Sequence, residues 1–305
     1  MPLFALALLV PALWGCAASG PPRETPALEP PGREIKLVPV DVLALSPEME
    51  AFLDRYVRSY ANPDTRVNLL ARAVADTAIL GFQYDSFGTF SAIEAFERRS
   101  GNCISYANLI VAMARAVNLE ASYQEVILAP EWTPRGDMML VPQHINVVIR
   151  GDRGTYLLDI SGVEISPEDT RHRLTDAEAL GLYHSNLGAD ALLEADLSLA
   201  YLHLARAIEM APRRADPWIN LGVVLGRNQQ LDDAALAYQQ ALENDPAAIS
   251  ALANLYDVER KRGNVQAAAA VASRVERYRR QNPYYLMSVA EQAVPAPGDL
   301  AVTER

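Results

Sequence analysis

The sequence predicts an α+β domain followed by an all-α region built from repeated helix pairs. Two observations lead to this prediction. Apolar residues recur at helical spacing from about residue 47 to residue 117, and then alternate as in strands up to about residue 160. From about residue 180 onward, a pattern with a period of 34 residues recurs, which indicates stacked helical repeats.

The composition fits a folded, mildly acidic protein with two domains. The chain has 305 residues, of which 50% are hydrophobic and 21% are charged, so it can bury a sizeable core. The formal net charge is −11, and the acidic residues are spread along the chain. Nucleic acid is therefore not expected as a partner, because a phosphate backbone needs a basic surface.

The N-terminus has the features of a targeting segment. Residues 1–12 are mostly apolar and too few to span a bilayer. The run ends in Leu13-Trp14-Gly15-Cys16, which resembles the lipobox of bacterial lipoproteins. The resemblance implies a signal peptide at 1–16, a lipid on Cys16 and, since Ala17 follows, a place in the cell envelope at the outer membrane, facing the periplasm. An ordinary signal peptide cut near Cys16 or Ala18 is the alternative.

Residues 17–39 are rich in Pro, Gly and Ser. Because proline continues neither a helix nor a sheet interior, this segment is predicted to be an extended tether. The first domain is then expected at 40–175, the repeats at 180–290 and a disordered tail at 291–305.

Helix starts punctuate the first part of this domain. Ser46-Pro47 and Asn62-Pro63 each combine an N-cap residue with proline at the first helical position. The second helix is predicted to include Ile79 and to stop at Gly81. A short helix over 91–99 follows, and a last one opens at Cys103 and ends at Asn118.

Alternation then predicts an antiparallel meander of three strands, over 121–128, 141–150 and 155–160. Gly151-Asp152-Arg153-Gly154 is predicted to be the hairpin turn between the last two. The charged stretch 170–173, which contains His172, is predicted to be a loop.

Cys103 stands where the polar Ser100-Gly101-Asn102 turn meets an apolar helix. Unpaired N–H groups at a helix start favour the thiolate, which is the nucleophilic form of cysteine. The alternative is an inert, buried thiol. A resolving cysteine for a redox switch is missing, because the other cysteine lies in the targeting segment.

A catalytic thiol needs a general base and a group that orients the base. Of the four histidines, His144 is the one predicted to lie in the sheet. A hairpin centred on residues 152–153 pairs positions whose numbers add to about 305, so His144 and Asp159 come close to facing each other. Taken singly, His144 could be a satisfied strand histidine, and Asp159 could cap a turn.

The residues Gly101-Asn102-Cys103, then His144, then Tyr156-Leu157-Leu158-Asp159 resemble the core of the transglutaminase-like superfamily. The resemblance implies a papain-like triad with Cys103 as nucleophile, His144 as base and then acid, and Asp159 as orienting group. The thiol would attack an amide carbonyl and form a thioester. Water would then give hydrolysis, and an amine would give cross-linking.

The sequence departs from animal-type transglutaminases at the oxyanion site. Those enzymes carry a tryptophan upstream of the cysteine, and here no tryptophan lies between residue 14 and Cys103. This favours hydrolysis over cross-linking. The backbone N–H of Cys103 and one further donor would hold the oxyanion, and the candidates are Gln83, Tyr84 and Asn102.

The repeats of the second half match the tetratricopeptide (TPR) signature. The matching residues are Leu187, Gly188, Ala200, Pro212, Trp218, Leu221, Gly222, Ala234, Tyr238, Ala241 and Pro246. A third, weaker unit follows from about Ile249. The all-α TPR solenoid implied by this match would present a groove for a protein or peptide partner. A structural appendage or a dimer contact is the alternative.

Two functional hypotheses result. The first is a membrane-anchored thiol enzyme that hydrolyses protein or peptide amides. The second is a non-catalytic lipoprotein adaptor in which the repeats bind the partner and the triad is a relic. No cofactor is expected, and no metal, because one cysteine and one strand histidine are too few ligands.

Overall fold

The computed structural model describes residues 24–27, 36–127, 133–135, 138–140, 144–163, 165–166 and 168–281. The predicted signal peptide with Cys16, most of the tether and the tail at 291–305 lie outside these residues. No helix in the described ranges has the length and apolar character needed to cross a membrane.

The first two helices begin where their caps predict. Helix α1 is Pro47–Tyr56, and Ser46 Oγ accepts the N–H of Met49 at 3.3 Å. Helix α2 is Pro63–Ala75, and Asn62 Oδ1 accepts the N–H of Thr65 at 2.9 Å. Both starts are local hydrogen-bond patterns, which is why the sequence predicts them correctly.

The end of α2 was predicted wrongly, because the helix stops before Ile79. The backbone of Asp76 is extended, and its carboxylate accepts the N–H of Ala78 at 2.9 Å. This local bond competes with the next helical turn. Gly81 then takes a left-handed conformation with φ +66°.

A two-residue parallel ladder that the sequence did not predict precedes the central helix. Strand β1 is Gln83–Tyr84, helix α3 is Ala92–Arg98, and strand β2 is Ser100–Gly101, which pairs with β1. Helix α4 is Cys103–Ala116, and it is buried along most of its length, as predicted. The ladder brings the 83–84 segment beside the turn that leads to Cys103.

Helix α4 packs on one face of a four-stranded antiparallel sheet. The strands of this sheet are β3 Glu120–Ile127, β6 His144–Arg150, β7 Thr155–Leu158 and β8 Thr170–Leu174. Between β3 and β6 in the chain, β4 Thr133–Arg135 and β5 Met138–Leu140 form a separate hairpin. The sheet order is β7-β6-β3-β8. The predicted hairpin joins β6 and β7, and Gly151 N–H donates to Gly154 O at 2.8 Å.

Strand β8 corrects the prediction of a charged loop at 170–173. Its first four residues are exposed and polar, so they show no alternation, but they pair with β3. His172 therefore also lies in the sheet, opposite Glu125. The premise that, of the four histidines, His144 alone lies in the sheet was therefore wrong, and the catalytic role of His144 stays a prediction.

The rest of the described chain is helical, and each helix packs against the next. The helices are α5 Asp176–Leu193, α6 Leu197–Met210, α7 Asp216–Arg227, α8 Leu231–Asn244, α9 Ile249–Lys261 and α10 Val265–Gln281. Short connections make neighbouring helices antiparallel. At Gly222 an added Cβ would lie 2.5 Å from the ring of Tyr238, so the α7–α8 contact requires glycine there.

Two features join the sheet domain to the helical region. Helix α5 serves both hydrophobic cores: Ala179 and Leu182 pack in the first, and Ala191 and Leu192 pack in the second. In addition, Arg214, between α6 and α7, donates to both carboxylate oxygens of Glu125 on β3, at 2.8 and 3.1 Å. The two halves are therefore packed against each other and share a helix.

A buried histidine pair between α5 and α6 predicts acid sensitivity. His184 Nδ1 lies 3.0 Å from His203 Nδ1. Burial, with the nearby charges of His203 and Arg206, lowers the pKa of His184 to about 4, and burial lowers the pKa of His203. The unfolded chain binds these protons more readily, so stability is lost as the pH falls from about 6.5 towards 4, by about 3 kcal/mol from His184.

Urea unfolding at pH 7 and pH 4.5 checks this expectation. His184→Asn should remove most of the acid-induced loss, because the titrating group is gone. His172→Gln is the matched control, since His172 is exposed on the edge strand β8, and it should leave the loss unchanged. An equal loss in the wild type and in His184→Asn would contradict the assignment.

Candidate active site

The turn before Cys103 is fixed by its own side chains. Asn102 caps α4: its Oδ1 accepts the N–H of Ser105 at 3.1 Å, and its Nδ2 donates to Thr89 Oγ1 at 2.9 Å. At Gly101 an added Cβ would lie 2.5 Å from the Cβ of Ser105. Only glycine fits this turn without a shift of α4, so the turn and the position of Cys103 are set together.

Two further polar residues of α4 hold the surrounding loop. Ser105 Oγ donates to Gly88 O and accepts the N–H of Phe90, both at 2.7 Å. Asn108 Nδ2 donates to Phe90 O at 3.1 Å, and Asn108 Oδ1 accepts the hydroxyl of Tyr123 on β3 at 2.9 Å. The sequence analysis did not identify Ser105 and Asn108. The signal for them was the interval of three residues from Asn102 to Ser105 and again from Ser105 to Asn108, in a helix that is otherwise mostly apolar.

Cys103 lies against the start of β6. Burial raises the pKa of the Cys103 thiol, and the carboxylate of Asp159 raises it further. Hydrogen bonds from the N–H groups of Ile145, Ile104 and Cys103 itself act in the opposite direction. The expectation that the helix start alone favours the thiolate is therefore wrong for this structure: the N–H groups lower the pKa, but desolvation has the larger effect.

His144 and Asp159 are in direct contact. His144, which is 5% exposed, places Nε2 against Asp159 Oδ2. Ser161 holds the other carboxylate oxygen, with its N–H and its Oγ both 2.8 Å from Asp159 Oδ1. Burial raises the pKa of Asp159, but the hydrogen bonds from His144 and Ser161 outweigh it, so the net pKa is lowered and the carboxylate stays ionised.

The hairpin register explains this contact. The paired positions of β6 and β7 add to 305, as the sequence predicted, for example Val147 with Leu158. Continued past the end of β7, the same register places Ser161 opposite His144 and Asp159 opposite Asn146. Asp159 therefore reaches His144 diagonally. The hairpin register predicted from the sequence was used only to pair His144 with an acidic residue, so it did not identify Ser161.

The three oxyanion candidates differ in availability. Both groups of the Asn102 amide are used in the cap. Gln83 Nε2 turns back to Gly81 O and Phe82 O, each at 3.3 Å. Burial and the charges of Cys103 and Asp159 raise the pKa of Tyr84, which places its phenol near both groups and keeps it protonated. Within the described residues, Tyr84 is thus the candidate whose side-chain donor is not used in a hydrogen bond.

Replacing Ser161 with alanine should raise the pKa of Asp159, because one of its hydrogen bonds is lost while the N–H of residue 161 remains. A carbon-13 NMR titration of the Asp159 carboxyl measures the change. The stability that ionised Asp159 provides above its unfolded pKa would be smaller in this variant, and its loss would be complete at a higher pH as acid is added. Ser273→Ala, a serine that bonds only within α10, is the control, and an equal pKa of Asp159 in both variants would contradict the expectation.

Within the described part of the chain, no group of three or more His, Cys, Asp or Glu residues could hold a metal ion.

Comparison with known proteins gives a family match for residues 51–156. Residues 51–156 match the family model of the transglutaminase-like superfamily (Transglut_core). Among solved structures, the chain is similar to the Arabidopsis OM64 TPR domain, with 16% identity and a TM-score of 0.33 over 38% of this chain and 94% of that chain. A search of curated proteins gave no match. The chain therefore carries a transglutaminase-like domain at residues 51–156, followed by a helical region.

Proposed function

We propose that the protein is a thiol enzyme that hydrolyses protein or peptide amide bonds through Cys103, His144 and Asp159. Two contacts at the start of β6 support the proposal. The His144 ring is held by Asp159, and the Cys103 thiol accepts the N–H of Ile145, the next residue after His144. A nucleophile, a base and an orienting carboxylate are the parts that thiol catalysis needs.

In the proposed reaction, Cys103 gives its proton to His144, and the thiolate sulfur attacks the amide carbonyl carbon. The N–H of Cys103 and the hydroxyl of Tyr84 hold the oxyanion. Protonated His144 then donates to the leaving amine as the C–N bond breaks, which leaves a thioester. Water, deprotonated by His144, cleaves the thioester and restores the thiol.

Asp159 has a positioning role in this scheme. Its contact at His144 Nε2 leaves Nδ1, which lies 3.4 Å from Ser161 Oγ, as the nitrogen that would exchange a proton with the thiol. The carboxylate also stabilises the imidazolium that forms. Because Asp159 is ionised and fixed by Ser161, it can hold the ring in one orientation through both steps.

The remaining parts of the proposal concern recruitment and location. The helical region would act as a TPR solenoid that binds a protein or peptide partner, which the 34-residue period and the glycine contact at Gly222 support. A lipid on Cys16 would attach the protein to a bacterial outer membrane on its periplasmic side. The lipobox resemblance is the basis for that location.

The pH dependence of Cys103 alkylation tests the enzyme proposal. In a Cys16→Ser background Cys103 is the single thiol, and its reaction rate with iodoacetamide can be followed by intact mass from pH 5 to 10. Burial raises the pKa of the thiol, and the proposed pairing with protonated His144 acts in the opposite direction, so we expect the wild-type profile to lie at lower pH than that of His144→Gln. His144→Gln should move the profile to higher pH. A wild-type profile above that of a free thiol, unchanged by His144→Gln, would overturn the proposal.

One observation favours the adaptor as a second candidate: burial raises the pKa of Cys103, as it does for an inert thiol. The adaptor hypothesis predicts that deletion of 180–290 abolishes the cellular function while Cys103→Ala preserves it. The enzyme proposal predicts that both changes abolish it. Complementation of a deletion strain with each variant distinguishes the two.

A further inference from the structure

Asn146 on β6 is a buried amide without a partner. The residue is 0% exposed, and neither its Oδ1 nor its Nδ2 has a hydrogen-bond partner. Asn108 on α4 is equally buried, but both ends of its amide are bonded. The two asparagines thus differ in the one property that decides whether a buried amide is tolerated.

The position of Asn146 connects it to the proposed active site. Side chains two residues apart on a strand share a face, so Asn146 lies on the same face as His144. Gln124 of β3 is its partner in the ladder on one side. Asp159 follows the last residue of β7, and the β6–β7 register, continued past Leu158, brings it to the other side. We call Gln124, Asn146 and Asp159 the polar row; it joins β3, β6 and the residue after β7, and it begins at the proposed triad.

The members of the polar row do not satisfy Asn146. Asp159 directs its two oxygens to His144 and Ser161. Gln124 is half-buried and makes no hydrogen bond to Asn146. Directly opposed side chains on paired strands have Cβ atoms only about 5 Å apart, so the absence of these bonds does not result from distance along the sheet.

Folding alone does not account for this arrangement. A buried polar group without a partner is unfavourable, and an apolar side chain of similar size would avoid the loss of solvation. Buried polar groups without a partner are expected mainly at functional sites, where a ligand can complete their hydrogen bonds. An unpaired carboxamide offers a donor and an acceptor side by side, and the group that matches both is another amide.

The geometry points to Asn146 as a binding residue for an amide group of the substrate, next to the amide that Cys103 attacks. This inference rests on the proposed function and adds a specificity-determining residue to it. The substrate would be a peptide, or a side-chain amide within one, whose neighbouring C=O and N–H pair with Nδ2 and Oδ1 of Asn146. The same face of the sheet is open further along, where Leu157 is 47% exposed.

NMR on the full chain tests binding without any reaction. The probe is N-acetyl-glycyl-glycine amide, and the signals are the side-chain NH₂ groups of Asn146 and Asn108 in the Cys103→Ser protein. We expect the Asn146 signal to shift and saturate with added peptide while the Asn108 signal stays in place. A peptide titration that moves neither signal, or both equally, would overturn the inference.

Alkylation kinetics separate this inference from the proposed function. In the Cys16→Ser background, Cys103 reacts either with chloroacetone, which has no amide, or with the chloromethyl ketone of N-acetyl-glycyl-glycine. Asn146→Leu should lower the ratio of the peptidyl rate to the chloroacetone rate at least about tenfold. Dividing by the chloroacetone rate removes any change in the reactivity of the thiol itself. An unchanged ratio would refute the role of Asn146, whereas a thiol unreactive to both reagents in the parent would refute the enzyme proposal.

Stability provides the control. Because Asn146→Leu removes an unpaired amide, its urea midpoint should equal or exceed that of the parent. Asn108→Leu breaks satisfied hydrogen bonds, so its midpoint should fall. If Asn146→Leu lowers the midpoint as Asn108→Leu does and leaves the rate ratio unchanged, the amide is structural and bridged by water, and the inference is wrong.

Discussion

Cys103→Ser is expected to lower the rate of amide cleavage at least about a thousandfold. A serine hydroxyl at this position is a far weaker nucleophile than a thiolate paired with His144, while the similar size of the side chain leaves the turn intact. Casein serves as a general protein substrate. Mass spectrometry detects new peptide termini and deamidated glutamines, and incorporation of dansylcadaverine reports transfer to an amine.

The matched control for this prediction is the other cysteine. Cys16→Ser should leave cleavage by the purified protein unchanged, since Cys16 belongs to the predicted targeting segment. His144→Gln should reduce cleavage nearly as much as Cys103→Ser, because residues of a triad act as a unit. Cleavage by Cys103→Ser at the wild-type rate would exclude the thiol mechanism. If incorporation of the amine exceeds cleavage in the wild type, the reaction is cross-linking and not hydrolysis.

Trp218→Ala is expected to destabilise the helical region by about 4 kcal/mol. Trp218 on α7 is 1% exposed and lies in the second hydrophobic core, and its Nε1–H donates to Pro212 O at 3.3 Å. Removing the indole leaves a large cavity in this core, and it also removes one of the two hydrogen bonds to Pro212 O, to which Asn244 Nδ2 donates the other at 3.0 Å. Urea unfolding followed by circular dichroism at 222 nm measures the loss.

Val265→Ala is the control for this substitution, because Val265 on α10 is 77% exposed and its truncation should change stability by less than about 0.5 kcal/mol. Trp218→Phe should lie between the two. Since Arg214 ties the helical region to Glu125 of the sheet, we expect the sheet domain to unfold more readily in Trp218→Ala as well. Equal stabilities of Trp218→Ala and Val265→Ala would contradict the assigned core.

The parts of the fold that depend on short-range patterns could be predicted from the sequence. Ser46 and Asn62 fix helix starts through bonds to residues three positions later. The short turn at 151–154 sets the register of β6 and β7, and this register, continued past Leu158, brings Asp159 towards His144. In each case the interacting atoms are close in sequence, so the pattern of residue types contains the geometry.

Other features depend on contacts that the pattern does not contain. Strand β8 has no alternation because its first four residues are exposed, and only its pairing with β3 makes it a strand. The pKa of Cys103 depends on how completely the fold buries the thiol, which has a larger effect than the helix start. The preference for Tyr84 over Gln83 and Asn102 as the proposed oxyanion donor likewise depends on which side chains are already hydrogen-bonded, and the pattern of residue types does not show this.

The sequence by itself determined the order of the helices and of the strands β3, β6 and β7, the caps of the first two helices, the 34-residue period and the candidates Cys103, His144 and Asp159, because periodicity and local hydrogen bonds follow directly from neighbouring residues. Only the tertiary structure decided which groups are desolvated and which are satisfied. It placed Ser161 on the carboxylate of Asp159 and left the amide of Asn146 buried without a partner. Burial and hydrogen-bond satisfaction are properties of segments distant in sequence brought together by folding, and they set the chemistry at this site.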